Sequence, residues 1–200
     1  LGQATQAIGA SATFATGVTY FPNGALKQFT YGNGIVHTLI QNDRGLPDRS
    51  VDAYGTTHLL DDGYDYDANG NVAAISDGAT GRNQRGNRTM GYDGLDRLTA
   101  VQSPMYGSAG ASYQYDTLDN LRHVVAPGRD HYYCYDGNNR LTNVKTGGCD
   151  TGATVIGLGY DVQGNLANKS GVVYTFDQGN RLRSVNTPVT SYLYDGHGRR

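Results

Sequence analysis

The chain has 200 residues, 29 Gly and 16 Tyr among them, and all 18 of its acidic residues are Asp; with Gly costing about 1 kcal/mol per helical position, a helical bundle is all but excluded. At 38% hydrophobic, 10% aromatic and 17% charged, it is too aromatic and too poor in charge for disorder, and its burial must be spread thinly. A net charge of −2 provides no field that would draw the chain to nucleic acid or an anionic membrane, and no apolar run approaches the roughly 18 residues of a membrane span.

Tyr, Val and Thr beside Gly, Asn and Asp are the residues of short strands and tight turns, and a seven-residue phrase built from them recurs along the chain. Two worn copies come first, Tyr20-Phe21-Pro22-Asn23-Gly24-Ala25-Leu26 and Gln41-Asn42-Asp43-Arg44-Gly45-Leu46-Pro47. From about residue 61 the copies are regular: Tyr66-Asp67-Ala68-Asn69-Gly70-Asn71-Val72, Tyr92-Asp93-Gly94-Leu95-Asp96-Arg97-Leu98 and Tyr115-Asp116-Thr117-Leu118-Asp119-Asn120-Leu121. Then follow Tyr135-Asp136-Gly137-Asn138-Asn139-Arg140-Leu141, Tyr160-Asp161-Val162-Gln163-Gly164-Asn165-Leu166, Phe176-Asp177-Gln178-Gly179-Asn180-Arg181-Leu182 and Tyr194-Asp195-Gly196-His197-Gly198-Arg199-Arg200. Copies begin 16 to 26 residues apart. The chain opens at Leu1 rather than Met and stops at Arg200 inside a copy, which suggests a piece of a longer protein and leaves targeting open.

Each slot has a physical reason. Position 5 is always Gly, Asp or Asn, the residues that tolerate positive φ. The Asp at position 2 can turn its carboxylate onto backbone N–H groups two residues on. Together they predict a hairpin loop with a left-handed residue at its exit. Aromatics alternate into the turn, as in Tyr64/Tyr66, Tyr113/Tyr115, Tyr133/Tyr135, Tyr174/Phe176 and Tyr192/Tyr194, so each pair shares a sheet face. After the turn come apolar pairs spaced by three: Leu26/Phe29, Val72/Ile75, Leu98/Val101, Leu121/Val124, Leu141/Val144 and Leu182/Val185. That spacing means either a β-bulge or burial on both faces. A lone hairpin is marginal in water, so the copies are expected to pair into one continuous sheet.

In these Tyr-Asp-x-x-Gly-Arg-Leu copies the sequence resembles the Rhs or YD-repeat family; Tyr31-Gly32-Asn33-Gly34 and Gly86-Asn87-Arg88 resemble other phrases common there. The resemblance covers essentially the whole chain, with degenerate repeats over 1–60 and regular ones over 61–200 in one array. It implies an all-β fold, antiparallel hairpins in a spiralling continuous sheet that forms part of a hollow shell. It also implies a function: bacterial shells of this kind enclose a toxic C-terminal domain of exported proteins, including the C component of insecticidal toxin complexes, and related repeats occur in animal teneurins. The Asp-Pro-x-Gly-Leu-type segment that usually closes such shells is absent from these 200 residues.

Some segments also match the outlines of other chemistry. Asp65-Tyr66-Asp67-Ala68-Asn69-Gly70 matches the opening of a calcium loop, but position twelve falls on Ser76 and the chain has no Glu, so a repeat turn is expected instead. Arg82, Arg85 and Arg88 read as a solvated loop rather than a phosphate site. The five His (His37, His58, His123, His131, His197) have no metal-ligand spacing, and no nucleophile elbow or phosphate loop occurs. Tyr side chains could stack on sugars, although their alternation marks most as sheet packing. Cys134 and Cys149, if joined, would close a loop of about 15 residues worth roughly 3 kcal/mol. The expectation is a non-enzymatic shell segment without cofactor or metal, exported or at the cell surface. Its partners would be the rest of its own shell and a linked toxin domain, with secretion proteins or surface glycans as further candidates. The alternative is an adhesion or carbohydrate-binding module, and a third reading, a hydrolase, lacks a recognisable site.

Overall fold

The computed structural model describes residues 7–8, 13–186 and 190–200. Strands and turns account for nearly all of it, as the shortage of helix formers requires. The chain divides into two compact units, Leu1–Ala111 and Ser112–Arg200, a boundary set by packing rather than by the regularity of the repeats.

In the first unit the strands are β1 (Ala7–Ile8), β2 (Thr13–Tyr20), β3 (Leu26–Tyr31), β4 (Val36–Gln41), β5 (Pro47–Tyr54), β6 (Thr57–Tyr66), β7 (Val72–Asp77), β8 (Arg88–Tyr92) and β9 (Leu98–Gln102). Each pairs antiparallel with the next. The second contains β10 (Ala111–Tyr115), which starts at the boundary, β11 (Leu121–Ala126), β12 (Arg129–Tyr135), β13 (Leu141–Lys145), β14 (Thr154–Tyr160), β15 (Leu166–Lys169), β16 (Val172–Phe176), β17 (Leu182–Val185) and β18 (Thr190–Ser191). These too are paired consecutively and antiparallel. Consecutive pairing follows from short connections, which leave a strand no neighbour closer than the one just made.

Register settles the spacing of three in favour of a bulge. Position 1 of a copy pairs with position 7, as in Tyr92 with Leu98 and Tyr135 with Leu141; the residue at position 8 is then skipped, so that Gly91 meets Ala100 and Cys134 meets Asn143. The skipped Thr99 and Thr142 donate their hydroxyls to the carbonyls of Gly91 and Cys134 at 3.1 and 3.0 Å. Beyond the bulge, position 10 lands opposite the aromatic two residues before the turn: Tyr64 faces Ile75, Tyr113 faces Val124, Tyr133 faces Val144 and Tyr174 faces Val185. Val124 also faces His131, and Val144 faces Ile156. Flanked on both strands, these two valines are each only 4% exposed. Among the described residues the other buried hydrophobics are Ala79, Ala111 and Cys134, so burial is indeed thin and rests on cross-strand pairs.

Candidate functional site: the stacked turns

The phrase builds the same turn at every copy. The N–H of position 2 bonds the carbonyl of position 6, and the N–H of position 5 bonds the carbonyl of position 2, for example Asp136 to Arg140 at 2.9 Å and Asn139 to Asp136 at 3.0 Å. The worn copies at Phe21 and Asn42 close likewise. So does Tyr31-Gly32-Asn33-Gly34-Ile35, with Tyr31 N–H on Ile35 and Gly34 N–H on Tyr31, a further copy that, like the two worn ones, lacks the Asp by which the regular copies are recognised in the sequence. Position 5 is left-handed in each: φ is 96° at Gly70, 59° at Asp96, 64° at Asp119, 63° at Asn139, 87° at Gly164, 57° at Asn180 and 75° at Gly198.

The position 2 carboxylate holds the loop from inside. Asp67 Oδ1 accepts the N–H groups of Asn69, Gly70 and Asn71 at 2.9 to 3.0 Å, while Asn71 Nδ2 donates to Oδ2 at 3.0 Å. Asp116 and Asp161 likewise accept the position 4 and position 6 N–H groups and the position 6 amide, from Leu118 and Asn120 and from Gln163 and Asn165. Where position 6 is arginine, its Nε takes the place of the amide: Arg97 on Asp93 at 2.8 Å, Arg140 on Asp136 at 3.0 Å, Arg181 on Asp177 at 2.9 Å. Asp195 accepts from His197 and Arg199 N–H. In six of these turns, those of Asp67, Asp93, Asp116, Asp136, Asp161 and Asp177, the donors favour the ionised form and hold the carboxyl below its usual range. The position 6 side chain is the main cause for Asp67, Asp93, Asp116 and Asp161, and the position 6 N–H is the main cause for Asp136 and Asp177. Of the two carboxylates in the Asp65–Gly70 segment that resembled a calcium loop, that of Asp67 is thus occupied by its own turn.

The tyrosine at position 1 works between copies. Its phenol donates to the carbonyl of position 7 in the preceding copy: Tyr66 to Pro47 at 2.6 Å, Tyr92 to Val72 at 3.0 Å, Tyr135 to Leu121 at 3.1 Å, Tyr160 to Leu141 at 2.8 Å and Tyr194 to Leu182 at 3.0 Å. Phe176 holds the same slot without the hydroxyl. Tyr115, Leu98 and Leu121 occupy their motif positions in the strands beside the turns. Sequence reasoning placed the tyrosines in the sheet but missed this bond, whose only signal is that Tyr rather than Phe fills the slot in six of the seven regular copies.

Two features break the repeat. Asp61 and Asp62, at 2% and 5% exposure, sit side by side in β6 and therefore on opposite faces. Asp61 takes Arg49 Nε and Nη2, both at 2.6 Å, with His58 Nδ1 at 2.6 Å, and the Arg49 hydrogen bonds hold its carboxyl low. Asp62 takes Arg85 Nη2 at 2.9 Å and Arg88 Nη2 at 2.5 Å. Asp77 accepts the N–H groups of Ala79, Arg85 and Gly86. Arg85 and Arg88 thus anchor the 78–87 loop, correcting their reading as a solvated segment; Arg82 lies in a short 3-10 turn, Gly81–Asn83. The second feature is a disulfide between Cys134 of β12 and Cys149. It ties the 146–153 loop to the sheet, where Lys145 Nζ also donates to the Cys149 carbonyl at 2.7 Å.

Among the described residues no group of three His, Cys or Asp is placed to hold a metal ion, and no helix is long and apolar enough to cross a membrane. The polar side chains are spent on neighbouring turns and strands, and what they define is a repeat protein whose unit is a hairpin closed by an Asx turn. Residues 66–104 match the family model described as RHS Repeat, so that this stretch of the chain carries an RHS repeat. No curated protein matches it. Among solved structures, one described as TcdB2-TccC3 is similar over 92% of this chain at 16% identity with a TM-score of 0.57, and one described as TcdB2-TccC3 without its hypervariable C-terminal region over 92% at 17% with 0.53. The Photorhabdus luminescens Tc holotoxin pore is similar over 82% at 16% with a TM-score of 0.50. The likeness is one of fold, and the chain spans only 10 to 11% of the length of those chains.

Proposed function

We propose that the chain is a non-catalytic segment of a repeat shell that sequesters a linked C-terminal toxic domain. The observation that carries this reading is the bonding between copies. Phenol-to-carbonyl bonds tie successive turns over strands already paired edge to edge, which makes a wall that excludes protease and solvent. Its partners are the remaining copies of its own shell and the enclosed domain. The hypervariable C-terminal region named in one structure of the same fold supports a variable cargo. The disulfide supports an exported protein that matures in an oxidising compartment. Glycan adhesion has less support, because the hydroxyls of Tyr66, Tyr92, Tyr135, Tyr160 and Tyr194 are committed to neighbouring copies.

Limited proteolysis of the full-length protein tests the reading. A C-terminal region that resists cleavage until denaturant opens the repeat sheet is the expected result. Cleavage of that region as fast in the intact protein as when it is expressed alone would overturn it.

A further inference from the structure

Position 6 of the regular copies is Asn71, Arg97, Asn120, Arg140, Asn165, Arg181 and Arg199. The three asparagines engage the next copy differently from Arg140 and Arg181. Each asparagine has two amide hydrogens, and one goes to the carboxylate of its own copy at 3.0 Å. The other crosses to a side-chain oxygen at position 5 of the next copy: Asn71 to Asp96 at 2.7 Å, Asn120 to Asn139 at 2.6 Å and Asn165 to Asn180 at 2.9 Å. All three acceptors sit at positive φ, 59°, 63° and 57°, where glycine would be the easier residue.

The Arg140 and Arg181 copies behave otherwise. Arg140 and Arg181 give Nε and Nη2 to their own Asp, and their guanidinium lies over the next copy's tyrosine, 5.3 Å from the Tyr160 ring centre and 5.4 Å from that of Tyr194. Position 5 of those next copies is Gly164 and Gly198, while Arg97 is followed in the sequence by Asp119. Arginine is thus followed by either type of residue. Asparagine is followed by an oxygen-bearing one in all three of its occurrences.

We propose that position 6 of one copy reads position 5 of the next, so that an asparagine copy selects as its neighbour a repeat turn presenting a side-chain oxygen from left-handed backbone. The turn edge is then an interaction surface with a code, and its partner is an adjacent repeat of the matching type. Tolerance of φ alone admits Gly, Asp or Asn at position 5 and so gives no reason for Asp96, Asn139 and Asn180, rather than glycine, after all three asparagine copies. The code does, because a glycine would leave the second amide hydrogen without its acceptor.

The test turns on the sign of one substitution. Asn139→Gly relieves the left-handed backbone but removes the acceptor, whereas Asn139→Asp keeps an oxygen in place. Hydrogen exchange on the full chain is expected to show the Asp116–Asn120 and Asp136–Arg140 turns exchanging about fivefold faster in N139G, the size of one net hydrogen bond, and near the parent rate in N139D. A double-mutant cycle of Asn120→Ala with Asn139→Gly is expected to be non-additive by a similar factor. N139G that fails to fold while N139D folds supports the code equally. The proposal is overturned by an N139G as protected as the parent, by an additive cycle, or by an N139D that behaves like N139G.

Discussion

At the scale of single residues the hydroxyl of the position 1 tyrosine separates sheet packing from copy-to-copy attachment. Tyr160 and Phe176 occupy equivalent slots, and only Tyr160 reaches back, to the Leu141 carbonyl at 2.8 Å. Tyr160→Phe keeps the ring and loses one hydrogen bond, so a stability loss of about 1 kcal/mol is expected in urea unfolding. Phe176→Tyr is expected to move the midpoint the other way by a similar amount, through a new bond to the carbonyl of Leu166, the equivalent position 7. An unchanged midpoint in both variants would mean that these phenols do as well in water as on the carbonyl. The slot for an aromatic is plain in the sequence; its hydroxyl's partner, 12 to 20 residues back in the chain, is not.

The 78–87 and 146–153 loops depart from the repeat, and each is fastened by chemistry the repeat does not use. The 78–87 loop is tied through the Asp62 and Asp77 carboxylates and the Asp61 carbonyl, which accepts Gly78 N–H at 2.8 Å, and Gly78 packs so close that a Cβ there would stand 2.7 Å from Asp61 Oδ2. Asp61→Ala leaves Arg49 and His58 facing an empty site. Because the Arg49 side chain is 46% exposed and can turn to water, the cost is expected at the lower end of the range for broken buried pairs, about 3 kcal/mol, read as a lowered midpoint in chemical unfolding. The 146–153 loop is tied by the disulfide. Reduction is expected to lower stability by about 3 kcal/mol for a 15-residue closed loop, and protease is expected to cut first within 146–153. A parent and a Cys134→Ala/Cys149→Ala variant with the same melting temperature would show the bridge to be stabilising nothing. Both cysteines and all three arginines were visible in the sequence. Nothing there distinguished an arginine in solvent from one aimed at Asp62, because that choice depends on strands β6 and β8 coming within reach of each other across β7.

At the scale of the whole molecule the thin core makes stability a sum over copies, each contributing its turn and its bonds to the next. The turn carboxylates therefore act together in acid. Asp67, Asp93, Asp116, Asp136, Asp161 and Asp177 all have folded pKa values below the ordinary aspartate value. A carboxyl depressed in the folded state stabilises fully above its unfolded pKa, near 3.9, and the contribution is lost as pH falls through the lower folded value. Stability is expected to be level above about pH 5 and to fall steeply below about pH 4, as measured by urea midpoints across that range. Asp136→Asn keeps an acceptor for the turn N–H groups but no charge, and is expected to be less stable than the parent at neutral pH with a shallower acid slope. A slope unchanged in this variant would place the acid sensitivity elsewhere, Asp61 being the first alternative.

What the sequence determined by itself was everything decided within seven or eight residues: the turn, its left-handed exit, the Asp that holds it, and the alternation that makes strands of the flanks. These are short-range matters of φ, hydrogen-bond reach and side-chain period, and they repeat because the phrase repeats. Tertiary structure alone decided the bulge at position 8, the phenol bonds and amide bridges between turns, the clamp on the 78–87 loop and the closure of Cys134 on Cys149. Each of these joins residues brought together by strand pairing, and the same local phrase is compatible with several such neighbours until the register of the sheet selects one.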